Sequence, residues 1–406
     1  RTERISFKFN GKIFFGYRGD TLASALMANG VHLIGRSFKY HRPRGFLGSG
    51  SEEPNAIVQV LKDEARTEPN IRATQIEIFE GFEAKSQNCW PSVNFDIGEI
   101  NSLFSSIIPA GFYYKTFMWP ASLWEKYEYF IRKSAGLGVS PTLRDPDLYD
   151  HKYYHCDVLI VGSGPAGLVA AQVAVKSGKK VLLIDEKPEH GGSLVGSNSE
   201  VNTINNDTPN EWIKKTYSEL LKSKNIKILN RTSAAAYHNY NYLIMMQNLT
   251  DHLSENDKKN KIRQRLWKVR AKKVILATGS IERTMVFDNN DKPGIMLSSA
   301  VRKYLNHYAV KCGNKVIIFA NNDDAYETAL SLHNKGVKIK AIIDIREKSD
   351  GDLVKKCTDL GLKIMWKYTV VSTSGYKKIN KVFVMKLSNN NNSVVGNKIK
   401  IECDLL

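Results

Sequence analysis

The chain lacks long hydrophobic runs and paired cysteines, and each absence excludes a class of protein. Nothing in its 406 residues approaches the roughly 18 consecutive apolar residues that a membrane-spanning helix needs. The cysteines are dispersed, without any Cys-x-x-Cys pair, at Cys89, Cys156, Cys312, Cys357 and Cys403. Such spacing fits neither a zinc site nor a disulfide framework. We therefore expect reduced thiols, no bound metal, no membrane partner and a cytoplasmic location.

Acidic residues are outnumbered, because 59 lysines and arginines face 41 aspartates and glutamates, for a formal net charge of +18. A basic surface can attract nucleic acid, acidic proteins or anionic cofactors. The positive residues are scattered, however, and concentrate only in KYHRPRG (Lys39–Gly45) and DKKNKIRQR (Asp257–Arg265). No nucleic-acid-binding signature accompanies these clusters, so we expect a solvated, lysine-rich surface and no nucleic-acid partner. An acidic protein partner is the alternative.

Changes in sequence pattern divide the chain into four predicted parts. They are a small β-rich domain at 1–85, an irregular aromatic-rich segment at 86–152, a first dinucleotide-binding domain at 153–310, and a second, degenerate and truncated one at 311–406. Alternating strand and helix patterns in the last two parts predict an α/β class, α+β overall. The aromatic residues of Phe112–Trp124 are expected to pack between domains or to form a subunit or cofactor interface. The closing strand pattern, IECDLL, has nothing after it, so we expect a fragment of a longer polypeptide.

The most specific motif is VLIVGSGPAGLVAAQVAVKSGKKVLLIDE, which reads as strand, helix and second strand. Gly162, Gly164 and Gly167 form a Gly-x-Gly-x-x-Gly pattern between the first strand and the helix. Gly162 permits the tight turn, Gly164 lets the backbone approach a pyrophosphate, and Gly167 allows close helix–strand packing. Free N–H groups and the dipole at the helix start favour phosphate. The motif therefore predicts a bound dinucleotide.

Asp185 lies at the end of the second predicted strand, 18 positions past Gly167. A carboxylate there accepts hydrogen bonds from the adenosine ribose and would repel a 2′-phosphate, so NADP is not expected. Glu186 is its neighbour and can share this role. A later buried strand ending in Ala277-Thr278-Gly279 supports the same site. The fingerprint by itself serves NAD and FAD alike.

The second strand–helix–strand pattern departs from the first. Its loop is Asn321-Asn322-Asp323-Asp324-Ala325, with no glycine fingerprint. Carboxylates at a helix start suit the helix dipole but would repel a phosphate. We therefore expect this part to keep the fold without binding a second nucleotide in the normal way, and to act in docking or as a spacer.

Long and unusual strings run through the whole sequence. They are GDTLASALMANGV, GRSFKYHRPRG, SEEPNA, EPNIRAT, PAGFYYKTFMWP, HCDVLIVGSGPAGL, RQRLWKVRAKKVILATGSIER, NDKPGIML and NNDDAY. In these strings the chain resembles the α subunits of heterotetrameric sarcosine oxidases. Cyanide-forming and opine- or proline-oxidising enzymes are close relatives of that family.

The resemblance implies a two-dinucleotide-binding, disulfide-reductase-like Rossmann architecture that carries NAD on this chain, with FAD as the alternative. It implies β, γ and δ subunits as partners, FAD in the β subunit where sarcosine is oxidised, and FMN at the α/β contact. The complex would yield glycine, hydrogen peroxide and, with tetrahydrofolate, 5,10-methylenetetrahydrofolate. The folate-binding half would lie beyond this chain. No catalytic residue carries over, because oxidation takes place on the partner.

Motif and resemblance together predict a set of cofactor-binding residues. They are Gly162, Ser163, Gly164, Pro165, Ala166, Gly167, Asp185, Glu186, Lys187, Gly192, Ser193, Ala234, Ala277, Thr278 and Gly279. The resemblance implies that Ala166 lies at the pyrophosphate turn. It also implies that Ala234 touches the adenine with its backbone.

The first domain resembles a plant-type ferredoxin β-grasp module. Some relatives bind a [2Fe–2S] cluster there, which needs four cysteine thiolates. The matching loop, GRSFKYHRPRGFLGSG, contains no cysteine, so we expect the fold without an iron–sulfur cluster. Lys39, Arg42 and Arg44 would either hold a flavin phosphate or a partner's carboxylates, or lie in an ordinary solvated loop.

Three functions remain open at this point. The chain is an oxidoreductase subunit with a resident dinucleotide, in a sarcosine oxidase or in a related amine, opine, proline or cyanide-forming dehydrogenase complex. Alternatively, it is an assembly subunit in which NAD only stabilises the fold. A free-standing FAD reductase is the third, although the chain lacks the Cys-x-x-Cys redox pair of that class. The amine substrate is undetermined, since the β subunit would select it.

Overall fold

The computed structural model describes residues 2–106, 108, 111, 119–199 and 202–406. These residues form two compact units. Unit 1 comprises Arg1–Asp145, Thr284–Val301 and Val310–Leu406, and unit 2 comprises Pro146–Arg283 and Arg302–Ala309. The four-part division made from the sequence stays a prediction.

The bounds of the regular elements are as follows. The strands are β1 (Arg4–Phe9), β2 (Lys12–Tyr17), β3 (Gly35–Arg36), β4 (Pro43–Arg44), β5 (Ile57–Leu61), β6 (Glu68–Arg72), β7 (Phe82–Ser86), β8 (Leu148–Val161), β9 (Val181–Ile184), β10 (Ile226–Leu229), β11 (Thr232–His238), β12 (Tyr242–Asn248), β13 (Ile262–Leu276), β14 (Lys315–Ala320), β15 (Lys338–Asp344), β16 (Ile364–Trp366), β17 (Tyr368–Ser374), β18 (Lys381–Leu387) and β19 (Val394–Glu402). The α-helices are α1 (Leu22–Ala28), α2 (Trp124–Ala135), α3 (Pro165–Lys176), α4 (Pro209–Leu221), α5 (Glu255–Lys258), α6 (Ser298–Asn306), α7 (Asp324–Asn334) and α8 (Asp352–Asp359). Short 3₁₀ helices span Ile97–Phe104, Ala121–Leu123, Gly192–Gly196 and Asn239–Asn241.

Unit 1 begins with a five-stranded sheet in the order β2-β1-β7-β5-β6. The dipeptide Asn10-Gly11 is typical of a two-residue hairpin turn. Strands β1 and β2 do pair antiparallel around it, and both turn residues have positive φ. Helix α1 begins where the Thr21 hydroxyl accepts a hydrogen bond from the Ser24 N–H, which satisfies one of the free donors at a helix start. Leu22 and Leu26 of this helix are fully buried.

The C-terminal part of unit 1 contains two three-stranded sheets. Strands β14, β15 and β16 are parallel, with α7 connecting the first two, while β17, β18 and β19 form an antiparallel meander. After β19 the chain runs parallel to β14, where the Ile317 N–H donates to the Leu405 carbonyl oxygen at 3.0 Å. The closing IECDLL segment therefore contributes to the core of unit 1.

Unit 2 is built on a six-stranded sheet in the order β10-β9-β8-β13-β12-β11. Strands β8, β9, β10 and β13 are parallel, and β11, β12 and β13 form an antiparallel meander. The strand, helix and second strand predicted for the glycine motif are present as β8, α3 and β9. The central strands are buried on both faces. Leu182 and Ile184 pack into one core with Trp267, whereas Leu183 packs with Leu168 and Trp212 on the helical side. Burial on both faces explains the uninterrupted apolar runs of these strands.

The aromatic stretch predicted as a packing or interface segment lies largely outside the described residues, since 112–118 belong to it. Of its described part, Trp119 is 82% exposed. Its role therefore stays a prediction. Among the residues that the structure describes, no helix combines the length and apolar character needed to cross a membrane.

Candidate functional site

The glycine turn (Gly162–Gly167) connects β8 to α3 and depends on the absence of two Cβ atoms. Gly162 has a φ of +102°, and a Cβ there would lie 2.3 Å from the Ala277 carbonyl oxygen. A Cβ on Gly167 would lie 1.9 Å from the Gly162 carbonyl oxygen. Contacts this short cannot be accommodated without moving backbone. The tight turn and the close helix–strand approach inferred from the motif therefore each have a steric cause.

Gly164 differs from these two glycines. Its φ is −67°, and a Cβ there would meet only an ordinary contact, the Gly192 Cα at 3.8 Å. Helix α3 begins at Pro165, and within the described residues no side chain caps its start. Proline lacks an N–H, so its place at the first position removes one donor that would otherwise need a partner. The turn thus leaves room beside an uncapped helix start, which suits a phosphate group.

Asp185 follows β9 directly and is tied to the glycine turn. Its Oδ2 accepts hydrogen bonds from the Ser163 N–H and the Ser163 hydroxyl, both at 2.7 Å. Its Oδ1 accepts from the Lys187 N–H at 2.9 Å. A carboxylate offers about four acceptor positions, so these three bonds leave one position, on Oδ1.

His190 is part of this arrangement although the sequence pattern did not single it out. Its Nδ1 lies 2.9 Å from the Ser163 Oγ, and its ring stacks on Tyr217 of α4 with centroids 4.4 Å apart. Burial lowers the pKa of His190, although the nearby Asp185 charge acts in the opposite direction. The one available signal was its position two residues before Gly192, a predicted site residue.

The other predicted site residues lie around the same end of the unit 2 sheet. Glu186 and Ala166 are exposed, and Ser193 is exposed in the 3₁₀ helix after Gly192. The Ala277 N–H donates to the Val161 carbonyl oxygen at 2.8 Å, which places the loop with Thr278 and Gly279 beside the glycine turn.

Ala234 lies on β11, the edge strand of the six-stranded sheet, and is exposed. The start of that strand approaches the site, because the Thr232 N–H donates to the Asp185 carbonyl oxygen at 2.7 Å. Ala234 follows two residues later.

The second loop, between β14 and α7, is filled by charged side chains. Asp344, at the end of β15, is fully buried and accepts a hydrogen bond from the Tyr326 hydroxyl at 2.8 Å. The Arg346 guanidinium bridges two carboxylates, with Nη2 2.7 Å from the Asp344 Oδ2 and Nη1 2.7 Å from the Asp323 Oδ1. The sequence pattern located Asp323, but neither Asp344 nor the arginine that links the two carboxylates.

Two arginines of the basic loop are paired with a carboxylate of the chain itself. Arg42 donates to both carboxylate oxygens of Asp291, at 2.8 and 2.7 Å, and Arg44 pairs with the same carboxylate. Burial raises the pKa of Asp291, but the hydrogen bonds from Arg42 and Arg44 outweigh it and lower that pKa. Both guanidinium groups are thus engaged within unit 1.

Two family models match the chain. Residues 2–89 match a 2Fe-2S iron-sulfur cluster binding domain, and residues 157–292 match an FAD dependent oxidoreductase. The first match contradicts the expectation of no iron–sulfur cluster, which rested on a loop without cysteine, and that expectation is withdrawn.

The matched segment has few of the side chains that such a cluster requires. The matched segment holds a single cysteine, Cys89, whereas a [2Fe–2S] cluster takes four thiolates or a mixture with histidine. In the described part of the chain no group of three or more His, Cys, Asp or Glu side chains is arranged to hold a metal. The donor set does not fit the group, and no step below depends on it.

Comparison with known proteins identifies the relatives. The chain is 45% identical over 385 residues to sarcosine oxidase subunit alpha of Rhizobium meliloti (strain 1021), covering 95% of this chain and 38% of that protein. It is 35% identical over 408 residues to the same subunit of Corynebacterium sp. (strain P-1), covering 100% of this chain and 37% of the relative.

A solved structure supports the fold. The L-proline dehydrogenase from P. horikoshii matches with a TM-score of 0.61 at 19% identity, over 100% of this chain and 59% of that one. The chain spans less than two fifths of the length of the curated relatives it matches. The α/β class and the resemblance predicted from the motifs are confirmed, and this chain is a relative of the sarcosine oxidase alpha subunits.

Proposed function

We propose that this chain is the dinucleotide-carrying part of the α subunit of a sarcosine oxidase, an oxidoreductase complex that acts on the CH–NH bond of sarcosine. Its similarity to two sarcosine oxidase alpha subunits supports the activity. The observation that carries the proposal is the glycine turn with Asp185 beside it. Oxidation of sarcosine would take place on a partner subunit, so the proposal assigns no catalytic residue to this chain.

The proposed ligand is NAD, with FAD as the alternative suggested by the family model. Both contain a diphosphate and an adenosine ribose, and either would supply hydride-transfer chemistry when bound. The N–H groups at the start of α3 would hold the diphosphate charge. The carboxylates of Asp185 and Glu186 would accept ribose hydroxyls and disfavour a 2′-phosphate.

The proposal extends to the complex. The β, γ and δ subunits would complete a heterotetramer, with FAD in the β subunit and FMN at its contact with this chain. Glycine and hydrogen peroxide would be the products, with 5,10-methylenetetrahydrofolate formed when tetrahydrofolate is present.

The first experiment is mass spectrometry of the ligand released from the purified chain, which distinguishes NAD from FAD. Gly164→Ala tests its location, because the new methyl group meets only an ordinary contact in the protein but would obstruct a diphosphate close to the backbone. We expect this variant to fold like the wild type and to lose most of the ligand.

Gly35→Ala in unit 1 is the matched control, since its Cβ would also meet an ordinary contact, the Gln87 carbonyl oxygen at 3.5 Å. It should retain full ligand occupancy. Full occupancy in Gly164→Ala, or no nucleotide in the wild type, would contradict the proposal.

A further inference from the structure

Ser163, Asp185 and His190 form a continuous hydrogen-bonded chain. The Ser163 hydroxyl lies between the Asp185 Oδ2, at 2.7 Å, and the His190 Nδ1, at 2.9 Å. Ser163 is fully buried, so these two groups determine how its hydroxyl is oriented.

The chemistry of the three groups fixes the direction of each hydrogen bond. An ionised carboxylate only accepts, so the Ser163 hydroxyl donates to Asp185. The hydroxyl oxygen must then accept from His190, which therefore carries its proton on Nδ1. The His190 Nε2 is buried and has no hydrogen-bond partner among the described residues, and a neutral ring avoids burying an unsatisfied N–H there.

The surrounding loop holds His190 in this position. The ring stacks on Tyr217, and the Gly191 N–H donates to the Ser163 carbonyl oxygen at 2.9 Å. Ser163 is thus contacted through both its backbone and its side chain by consecutive residues of one loop. An imidazole held on two sides cannot easily release the hydroxyl that it orients.

The orientation of the Ser163 hydroxyl determines which oxygen of Asp185 can accept a further hydrogen bond. Because Ser163 gives two hydrogen bonds to Oδ2, that oxygen has its full complement, whereas Oδ1 accepts only from the Lys187 N–H. Without His190, the Ser163 hydroxyl could rotate away and leave an acceptor position on Oδ2 as well.

We propose that His190 is a positioning residue that acts through Ser163. By orienting the Ser163 hydroxyl it keeps Oδ2 of Asp185 hydrogen-bonded within the protein, so that only Oδ1 is available to accept a hydrogen bond from a single ribose hydroxyl of an adenine dinucleotide. This inference rests on the proposed function and adds a determinant of ribose recognition to it. His190 itself need not touch the ligand.

The test uses ADP, the portion that NAD and FAD share, with 2′-deoxy-ADP and 3′-deoxy-ADP as probes of each hydroxyl. Isothermal titration calorimetry on the full chain measures the dissociation constants, after removal of any resident ligand. We expect the wild type to bind one of the two deoxy analogues about tenfold more weakly than ADP, because only that analogue loses the hydrogen bond to Asp185. The other analogue should bind nearly as well as ADP, because a contact to the exposed Glu186 is screened by solvent and contributes little.

His190→Leu keeps an apolar body against Tyr217 but removes the donor, and should reduce the discrimination between the two analogues to less than about threefold. His190→Asn can return an N–H near the Nδ1 position and should restore discrimination. Ser163→Ala should reproduce the effect of His190→Leu, and the double variant should show no additional effect, because both act through one hydroxyl.

A merely structural role for His190 would lower the melting temperature without altering the ratio of the two deoxy analogues. That result, or additive effects of the two single variants, would overturn the inference while leaving the proposed function intact. Absence of ADP binding by the wild type would overturn both. Variants that fail to fold are identified by far-UV circular dichroism, and His190→Asn then decides the outcome.

Discussion

Two strand–helix–strand segments of this chain make the same backbone turn after their second strand but differ in the side chains around it. In unit 2, β8, α3 and β9 end at Asp185; in unit 1, β14, α7 and β15 end at Asp344. In each case the residue two positions later donates its backbone N–H to the aspartate Oδ1 at 2.9 Å, Lys187 in the first and Arg346 in the second. The local turn is therefore the same.

The difference lies in what occupies the space between strand and helix. The glycine turn brings backbone to within hydrogen-bonding reach of Asp185 and leaves the start of α3 uncapped. The second loop places Asp323 there, and Arg346 links it to the fully buried Asp344. Glycines leave room for a ligand's charge, whereas charged side chains neutralise each other and fill that room themselves.

Replacing Arg346 should have the largest effect on stability. Arg346→Met removes the cation beside a fully buried carboxylate, and breaking such a pair costs about 3–5 kcal/mol of unfolding free energy. Lys187→Met, at the matched position of unit 2, should cost less than about 0.5 kcal/mol. Urea denaturation measures both. Equal losses of unfolding free energy in the two variants would contradict the difference between the two loops. Combining Arg346→Met with Asp344→Asn should recover part of the stability that Arg346→Met loses.

Gly167→Ala should have the second largest effect on stability. Its Cβ would lie 1.9 Å from the Gly162 carbonyl oxygen, so the backbone must shift, at a cost of about 3 kcal/mol. Gly164→Ala, three residues earlier, should cost less than about 1 kcal/mol, because its nearest contact is ordinary. Comparison of their denaturation midpoints checks this. A stable Gly167→Ala protein would mean that the turn is not sterically determined.

Each unit also contains a partly buried histidine, His32 in unit 1 and His190 in unit 2. In unit 1, burial and the Lys378 charge lower the pKa of His32 to about 4, against about 6.5 in an unfolded chain. The unfolded chain therefore takes up this proton first, and stability is complete above about pH 6.5 and falls by up to about 3 kcal/mol toward pH 4. His32→Gln should flatten that slope more than His190→Gln does in unit 2. Unchanged slopes in chemical denaturation at several pH values would contradict this.

Asp185→Asn should have the smallest effect on the fold. Asparagine keeps the shape but has one acceptor oxygen where aspartate uses two, so either the Ser163 donors or the Lys187 N–H lose their acceptor. The loss should therefore be about 2 kcal/mol. ADP binding should weaken about tenfold. The same change at Asp344 should destabilise more, because it leaves Arg346 without its buried partner. An ADP affinity unaffected by Asp185→Asn would argue against a ribose contact.

The sequence predicted those parts of the molecule that depend on consecutive residues. Asn10-Gly11 gave the first hairpin, and the spacing of Gly162, Gly164 and Gly167 gave a strand, turn and helix in the right order. These are backbone requirements, and a missing Cβ or a positive φ is encoded at the residue concerned. The same local reasoning was wrong about the β-grasp domain. The lack of cysteine in its loop predicted no iron–sulfur cluster, whereas residues 2–89 match a 2Fe-2S iron-sulfur cluster binding domain.

Only the tertiary structure decided which distant side chains meet. Arg42 and Arg44 pair with Asp291, which lies 249 and 247 positions later in the sequence. His190 forms a hydrogen bond with Ser163, which lies 27 positions earlier. No periodicity encodes such pairs, because they depend on how folded loops are brought together. Charge and hydrogen-bonding capacity are visible in the sequence, but the partner that satisfies each group is fixed only when burial removes water as the alternative.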